Sequence, residues 1–69
     1  MANKQRYRIK AVRNALRIPQ KELANKAGIS QPYLHDLENN LRGAKPETLE
    51  RVAGALGVNA ELLIEQEVS

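Results

Sequence analysis

The sequence predicts an all-α fold class, a single compact domain of five short helices, and three observations lead there. Apolar residues recur at helical spacing in separate short runs, with Ile9, Val12 and Leu16 first and Leu49, Val52, Ala53 and Leu56 later. Between those runs, Gln20 to Leu37 reads as two helices joined by one tight turn at Gly28. Finally, 69 residues allow only one small core, which hides about 60% of the surface that the unfolded chain would expose.

The first six residues are basic and poor in apolar side chains, so residues 1–6 form a basic arm that runs into the first helix near Tyr7. Such an arm is either a solvated terminus or a strand of cations lying against a polyanion. The first helix buries Ile9, Val12 and Leu16 along one stripe, and Arg17-Ile18-Pro19 breaks it. Gln20 opens the second helix, where Leu23 and Ala27 share a face and Ala24 must be small because the third helix crosses close by. At Gly28 the chain turns through positive φ, and Ile29 fills the corner. Ser30 supplies the oxygen that caps the third helix, Pro32 falls in its first turn, and Leu34 and Leu37 continue the buried stripe. Gln31, Pro32, Tyr33 and Asp36 are thereby left pointing away from the core.

After Glu38, the Asn and Gly content of residues 39–45 marks a loop. Pro46 starts the fourth helix and Gly57 ends it. Gly54 inside it costs about 1 kcal/mol relative to alanine, so that position either packs closely or tolerates the loss. Asn59 is placed to cap a fifth short helix carrying Leu62, Leu63 and Ile64, and residues 65–69 form a frayed acidic tail.

Taken together and in order, an opening helix with Arg13, then QKELA, GISQPYLHDLEN and PETLERVAGALGV, these segments resemble the phage repressor and Cro family, the XRE type. The resemblance covers Ile9 to Leu63. It implies a lambda-repressor-like DNA-binding domain whose helix-turn-helix, residues 20–39, is formed by the second and third helices. It further implies that Arg13 pairs with Glu38 after the recognition helix, a structural contact that fixes the first helix against the third. The loop after that helix would lie along the sugar-phosphate backbone, with Asn39, Arg42 and Lys45 able to donate to phosphates. The chain's end, at Leu62, Leu63 and Ile64, would form a dimer contact, although each of these residues could equally close the core. The family's usual glycine near Arg17 and serine or threonine at Pro19 are missing, so the caps of the first two helices differ here.

On this reading the protein binds double-stranded operator DNA as a transcriptional regulator, most readily a repressor, with the third helix in the major groove. Only that groove presents a distinct pattern of donors, acceptors and methyl groups for every base pair. Gln31 can bond bidentately to adenine, Pro32 suits a thymine methyl, and Tyr33 can pack on a methyl or donate to a phosphate. Asp36 can accept from cytosine, or instead orient Tyr33 or a lysine. The amino end of the second helix, at Gln20, suits a phosphate through its backbone N–H groups, with Lys21 beside it. A chain this small covers one half-site, so a homodimer on a near-palindromic operator is expected.

Charge supports the same orientation. Residues 1–45 carry ten Lys and Arg against three acids, whereas residues 46–69 carry Arg51 against five glutamates, so a polyanion should meet the first part and avoid the last. There is no cysteine, hence no disulfide or thiolate metal site. No apolar run approaches the roughly 20 residues that cross a bilayer, and Met1 to Lys10 is too polar for a signal peptide. A cytoplasmic protein of a bacterium or phage, with no membrane partner, cofactor or small-molecule substrate, is expected. Catalysis is disfavoured because Ser30, His35 and Asp36 are the only residues resembling a triad, and consecutive residues on a helix project about 100° apart. RNA is disfavoured because Tyr7 and Tyr33 make no stacking platform. The remaining alternative is a protein-interaction module of the same fold, such as an antitoxin bound to a toxin or a regulator bound by an antirepressor.

Overall fold

Four α-helices, one turn of 3-10 helix and a two-stranded ribbon make up the computed structural model, which describes residues 6–65. In order these are β1 (Arg6–Tyr7), α1 (Ile9–Ala15), α2 (Gln20–Ala27), α3 (Gln31–Glu38), α4 (Pro46–Leu56), the 3-10 turn (Ala60–Leu63) and β2 (Ile64–Glu65). The expected arm over residues 1–6 and tail over residues 65–69 lie outside the described residues except at Arg6 and Glu65.

All four α-helices end in the same way. A residue at positive φ follows the last turn, and the next N–H folds back onto a carbonyl one turn earlier, the Schellman arrangement. Gly28 and Gly57 occupy that position at φ 72° and 76°, where the absence of a Cβ removes the steric penalty. Asn40 takes it at φ 58° after α3, and Arg17 at φ 57° after α1. Around Arg17 the closing bonds are Arg17 N to Asn14 O, 3.0 Å, and Ile18 N to Arg13 O, 3.1 Å. The missing glycine therefore leaves the motif in place but puts an arginine in a conformation that costs about 1–2 kcal/mol for a residue with a Cβ.

Inside, Ile9, Leu23, Leu34, Leu37, Val52 and Leu63 are fully buried, joined by Tyr7, Ala24, Ala27, Leu49, Ala53 and Leu56. α2 packs mainly on α4 and on α3, and the small Ala24 and Ala27 sit at this contact. Gly54 contributes no close approach, since a Cβ there would meet nothing within 4 Å. Its cost to α4 is simply tolerated.

Three expectations need correction. Leu16 is 47% exposed rather than buried, because α1 ends at Ala15 and the chain turns at Arg17 before that position comes round to the core. Tyr7 precedes the first helix and lies in β1, paired antiparallel with Ile64, while Arg6 pairs with Glu65. The fifth helix is a 3-10 turn only. Asn59 makes no side-chain cap bond there. Backbone groups that a longer helix would have used are taken up by the ribbon, including the Arg8 N–H, which donates to Leu63 O at 2.7 Å. Long-range pairing, strengthened by β-branched Ile64, has overridden local helical preference.

Candidate nucleic-acid interface

The exposed edge of α3 is built on a short connection that leaves little freedom. Ser30 is extended at φ −74° and ψ 153°, and its Oγ accepts from the Tyr33 N–H at 3.2 Å, capping α3. Pro32 follows in the first turn without a lost bond. Gln31 and Pro32 are exposed, and Tyr33 and Asp36 are half-buried. Tyr33 packs against the rim of the core, and the Arg42 guanidinium carbon lies 5.0 Å from the centre of its ring. That distance lies within reach of a cation–π contact.

A chain of polar contacts runs from the interior to this edge. Arg13 Nε donates to Glu38 Oε2 at 2.6 Å and its Nη2 donates to Oε1 at 3.1 Å. Its Nη1 donates to the carbonyl of Ile18 at 2.9 Å. Both side chains are nearly closed to solvent, at 10% and 1% exposure. The pair ties α1 to α3 and to the turn before α2. Gln20 Nε2 then donates to Glu38 Oε1 at 3.0 Å. A carboxylate can only accept, so Gln20 must turn its NH2 inward and its carbonyl oxygen outward. That oxygen accepts from Gln31 Nε2 at 3.2 Å. The outermost glutamine, itself exposed, is thus linked to a buried charge through one intermediary.

Sequence reasoning assigned Gln20 only its backbone N–H groups, so this side-chain role was missed. A polar residue opening α2 opposite the start of α3 was the available signal. Lys21, Arg42 and Lys45 are exposed, and Lys45 occupies the position just before α4. Asn39 is exposed as well, with one of its two amide N–H donors in use. Its Nδ2 donates to the His35 carbonyl at 2.8 Å, so the amide is engaged in closing α3. Leu63 is also reassigned, being 0% exposed in the core and closed to any partner, whereas Leu62 is 48% exposed and Ile64 is half-buried in β2.

Tyr7 and Asn40 were not anticipated in any role at this face. The Tyr7 N–H donates to Asn40 Oδ1 at 3.0 Å, and the Tyr7 hydroxyl accepts from the Ala44 N–H at 2.9 Å. A tyrosine in an otherwise polar opening segment was the signal. Elsewhere, His35 Nδ1 and Asp36 Oδ1 are 3.7 Å apart, beyond hydrogen-bond distance. Among the described residues no group of three or more His, Cys, Asp or Glu could hold a metal, and no helix is long and apolar enough to cross a membrane.

Residues 9–63 match a family model described as helix-turn-helix. An immunity repressor protein of Bacillus phage phi105 is 42% identical over 60 residues, which is 87% of this chain and 42% of that protein. An HTH-type transcriptional regulator of Mycobacterium tuberculosis, itself uncharacterized, is 36% identical over 55 residues, or 80% of this chain and 39% of its own length. The chain thus spans about two fifths of the curated relatives it matches. Among solved structures, the N-terminal DNA binding domain of SinR from Bacillus subtilis superposes with a TM-score of 0.72 at 36% identity, covering 78% of this chain and 80% of that one.

Proposed function

This chain belongs to the helix-turn-helix family of the XRE type, and from that premise we propose that it binds double-stranded DNA selectively as a transcriptional regulator, most directly a repressor. In this reading α3 enters the major groove. The observation that carries it is the bracing of an exposed glutamine, Gln31, by Gln20 and the buried Arg13–Glu38 pair. A base-reading side chain must be held with its polar edge outward, and a preoriented amide loses less freedom when it pairs with adenine. Pro32 and Tyr33 lie beside it for apolar contact with thymine methyls, and Asp36 one turn on can accept from cytosine.

Phosphate contacts surround that edge. Lys21 and the first N–H groups of α2 serve one side, and Arg42 and Lys45 the other. Asn39 can add the second N–H of its amide, the first being bonded to His35. The acidic second part of the chain keeps the duplex on this face. Repression is favoured by the kinship with a phage immunity repressor. Two copies on a near-palindromic site would meet through Leu62, with Ile64 beside it, rather than through Leu63.

Selection of bound duplexes from random DNA at two salt concentrations tests the reading. A half-site should emerge, and Gln31→Ala should weaken binding to it by about 1–3 kcal/mol while blurring its preference. Lys45→Ala should instead weaken binding to all duplexes alike and lower the salt slope by about 1. The same uniform loss from both changes, or no enrichment of any sequence, would overturn the assignment.

A further inference from the structure

The loop over residues 39–45 carries two of the cations expected to meet phosphate, yet has no regular structure to hold it. Its first residues are bonded back to α3, and what ties it to the rest of the fold is one residue near the start of the chain, Tyr7. Tyr7 is 6% exposed, and the pairing of β1 with β2 sets its backbone. Its N–H reaches Asn40, just after α3, and its hydroxyl reaches the N–H of Ala44, four residues further on. Gly43 lies over the same hydroxyl, at a distance where a Cβ would make only an ordinary van der Waals contact, 3.8 Å. The two contacts bracket the segment that holds Arg42, and the second immediately precedes Lys45.

Building on the DNA-binding reading above, we infer that Tyr7 is a positioning residue for the phosphate-binding loop. It governs affinity for DNA of any sequence and has no part in choosing the sequence. The hydroxyl is suited to this because it is a single acceptor delivered by a rigid ring. Without it the Ala44 N–H, half-shielded from water, loses its partner, and the shortest route to a new one is outward movement of the loop. Arg42 would also lose the placement that lets it lie over Tyr33.

Tyr7→Phe removes the one oxygen and keeps the ring in the core. Asn40→Gly removes the other contact while keeping a residue that accepts positive φ. For each, duplex binding is measured on the preferred half-site and on unrelated sequences, at several salt concentrations and well below the melting temperature. Amide hydrogen exchange is followed residue by residue in the free protein. The expected result is a common loss of affinity of about 3–10-fold on every duplex. Sequence ranking should be unchanged and the salt slope smaller. Exchange at Ala44 should quicken at least about tenfold while Leu23 and Leu34 in the core stay protected. A purely structural tyrosine would lower the melting temperature but leave binding unchanged in the fully folded protein, and that outcome overturns the inference. So does a loss confined to the preferred half-site, or unaltered exchange at Ala44. A wild-type protein that binds no duplex overturns the DNA reading instead, and the exchange result then still decides whether the hydroxyl anchors the loop.

Discussion

Replacing Arg13 by methionine keeps the length of the side chain but withdraws the donors that hold Glu38. The carboxylate lies in a side chain only 1% exposed, and of its three hydrogen bonds two come from Arg13, leaving Gln20 alone. Breaking a buried pair from one side costs about 3–5 kcal/mol, because the remaining charge can neither reach water nor find another partner. A domain of 69 residues has a total stability of only about 3–10 kcal/mol. Arg13→Met should therefore bring the chain close to its folding midpoint in plain buffer. With a urea dependence of about 1 kcal/mol per molar for so small a protein, the midpoint should fall by about 3–5 M, or to zero where the starting stability is no larger than that. Equilibrium urea unfolding followed by circular dichroism reads this directly. Glu38→Met should be similarly harmful, and the double variant should recover at least half of the combined loss, since no charge is then left buried. If each single change costs under about 1 kcal/mol, or if the double variant is as unstable as the two losses added, the pair does not brace α1 against α3 and the reasoning fails.

Three further outcomes can be measured by thermal unfolding and, for the last, by sedimentation. Gly54→Ala should stabilise by about 1 kcal/mol, raising the melting temperature by about 4–8 °C, because α4 gains helix propensity and the added methyl meets nothing; a loss would show that the position packs against something. Arg17→Gly should stabilise by about 0.5 kcal/mol, the relief at φ 57° being partly offset by the freedom glycine gains when unfolded; an unchanged or lower melting temperature would argue that Arg17 makes a compensating contact. Leu63→Ala should cost about 2–5 kcal/mol as a core cavity, whereas Leu62→Ser should change monomer stability by under about 0.5 kcal/mol. Sedimentation equilibrium should show weaker self-association for Leu62→Ser alone, and an unaffected dimer would remove Leu62 from the interface.

What could be read from the residues was whatever stereochemistry decides locally. Gly28, Ser30 and Pro32 each have one conformational use at a turn between helices, and the structure puts them to that use. The stripes of α2, α3 and α4 were visible because a helix face repeats within a few residues. Leu16 was misplaced because periodicity does not say where a helix stops, and its stop is set by an arginine in a conformation more usual for glycine. The ribbon and the 3-10 turn were invisible for a different reason. Tyr7 and Ile64 are brought together only by the rest of the fold, and neither two-residue strand has a pattern of its own. The same limit hid the links from Gln20 to Gln31 and from Tyr7 to the loop. Residue types showed that polar partners were available, but only the packing of α2 against α3, and the β1–β2 pairing that seats Tyr7, fixed which of them meet.

The ribbon also makes the domain sensitive to mechanical tension. β1 and β2 run antiparallel, with Arg6 opposite Glu65 at the open end, so handles attached at the two termini and drawn apart load one rung at a time, as in a zipper. Rungs loaded in turn resist less than strands sheared along their length, where all the bonds bear the load together. Tyr7 is the second rung, so a pull that opens the ribbon also bears on the residue bonded to the loop at Asn40 and Ala44.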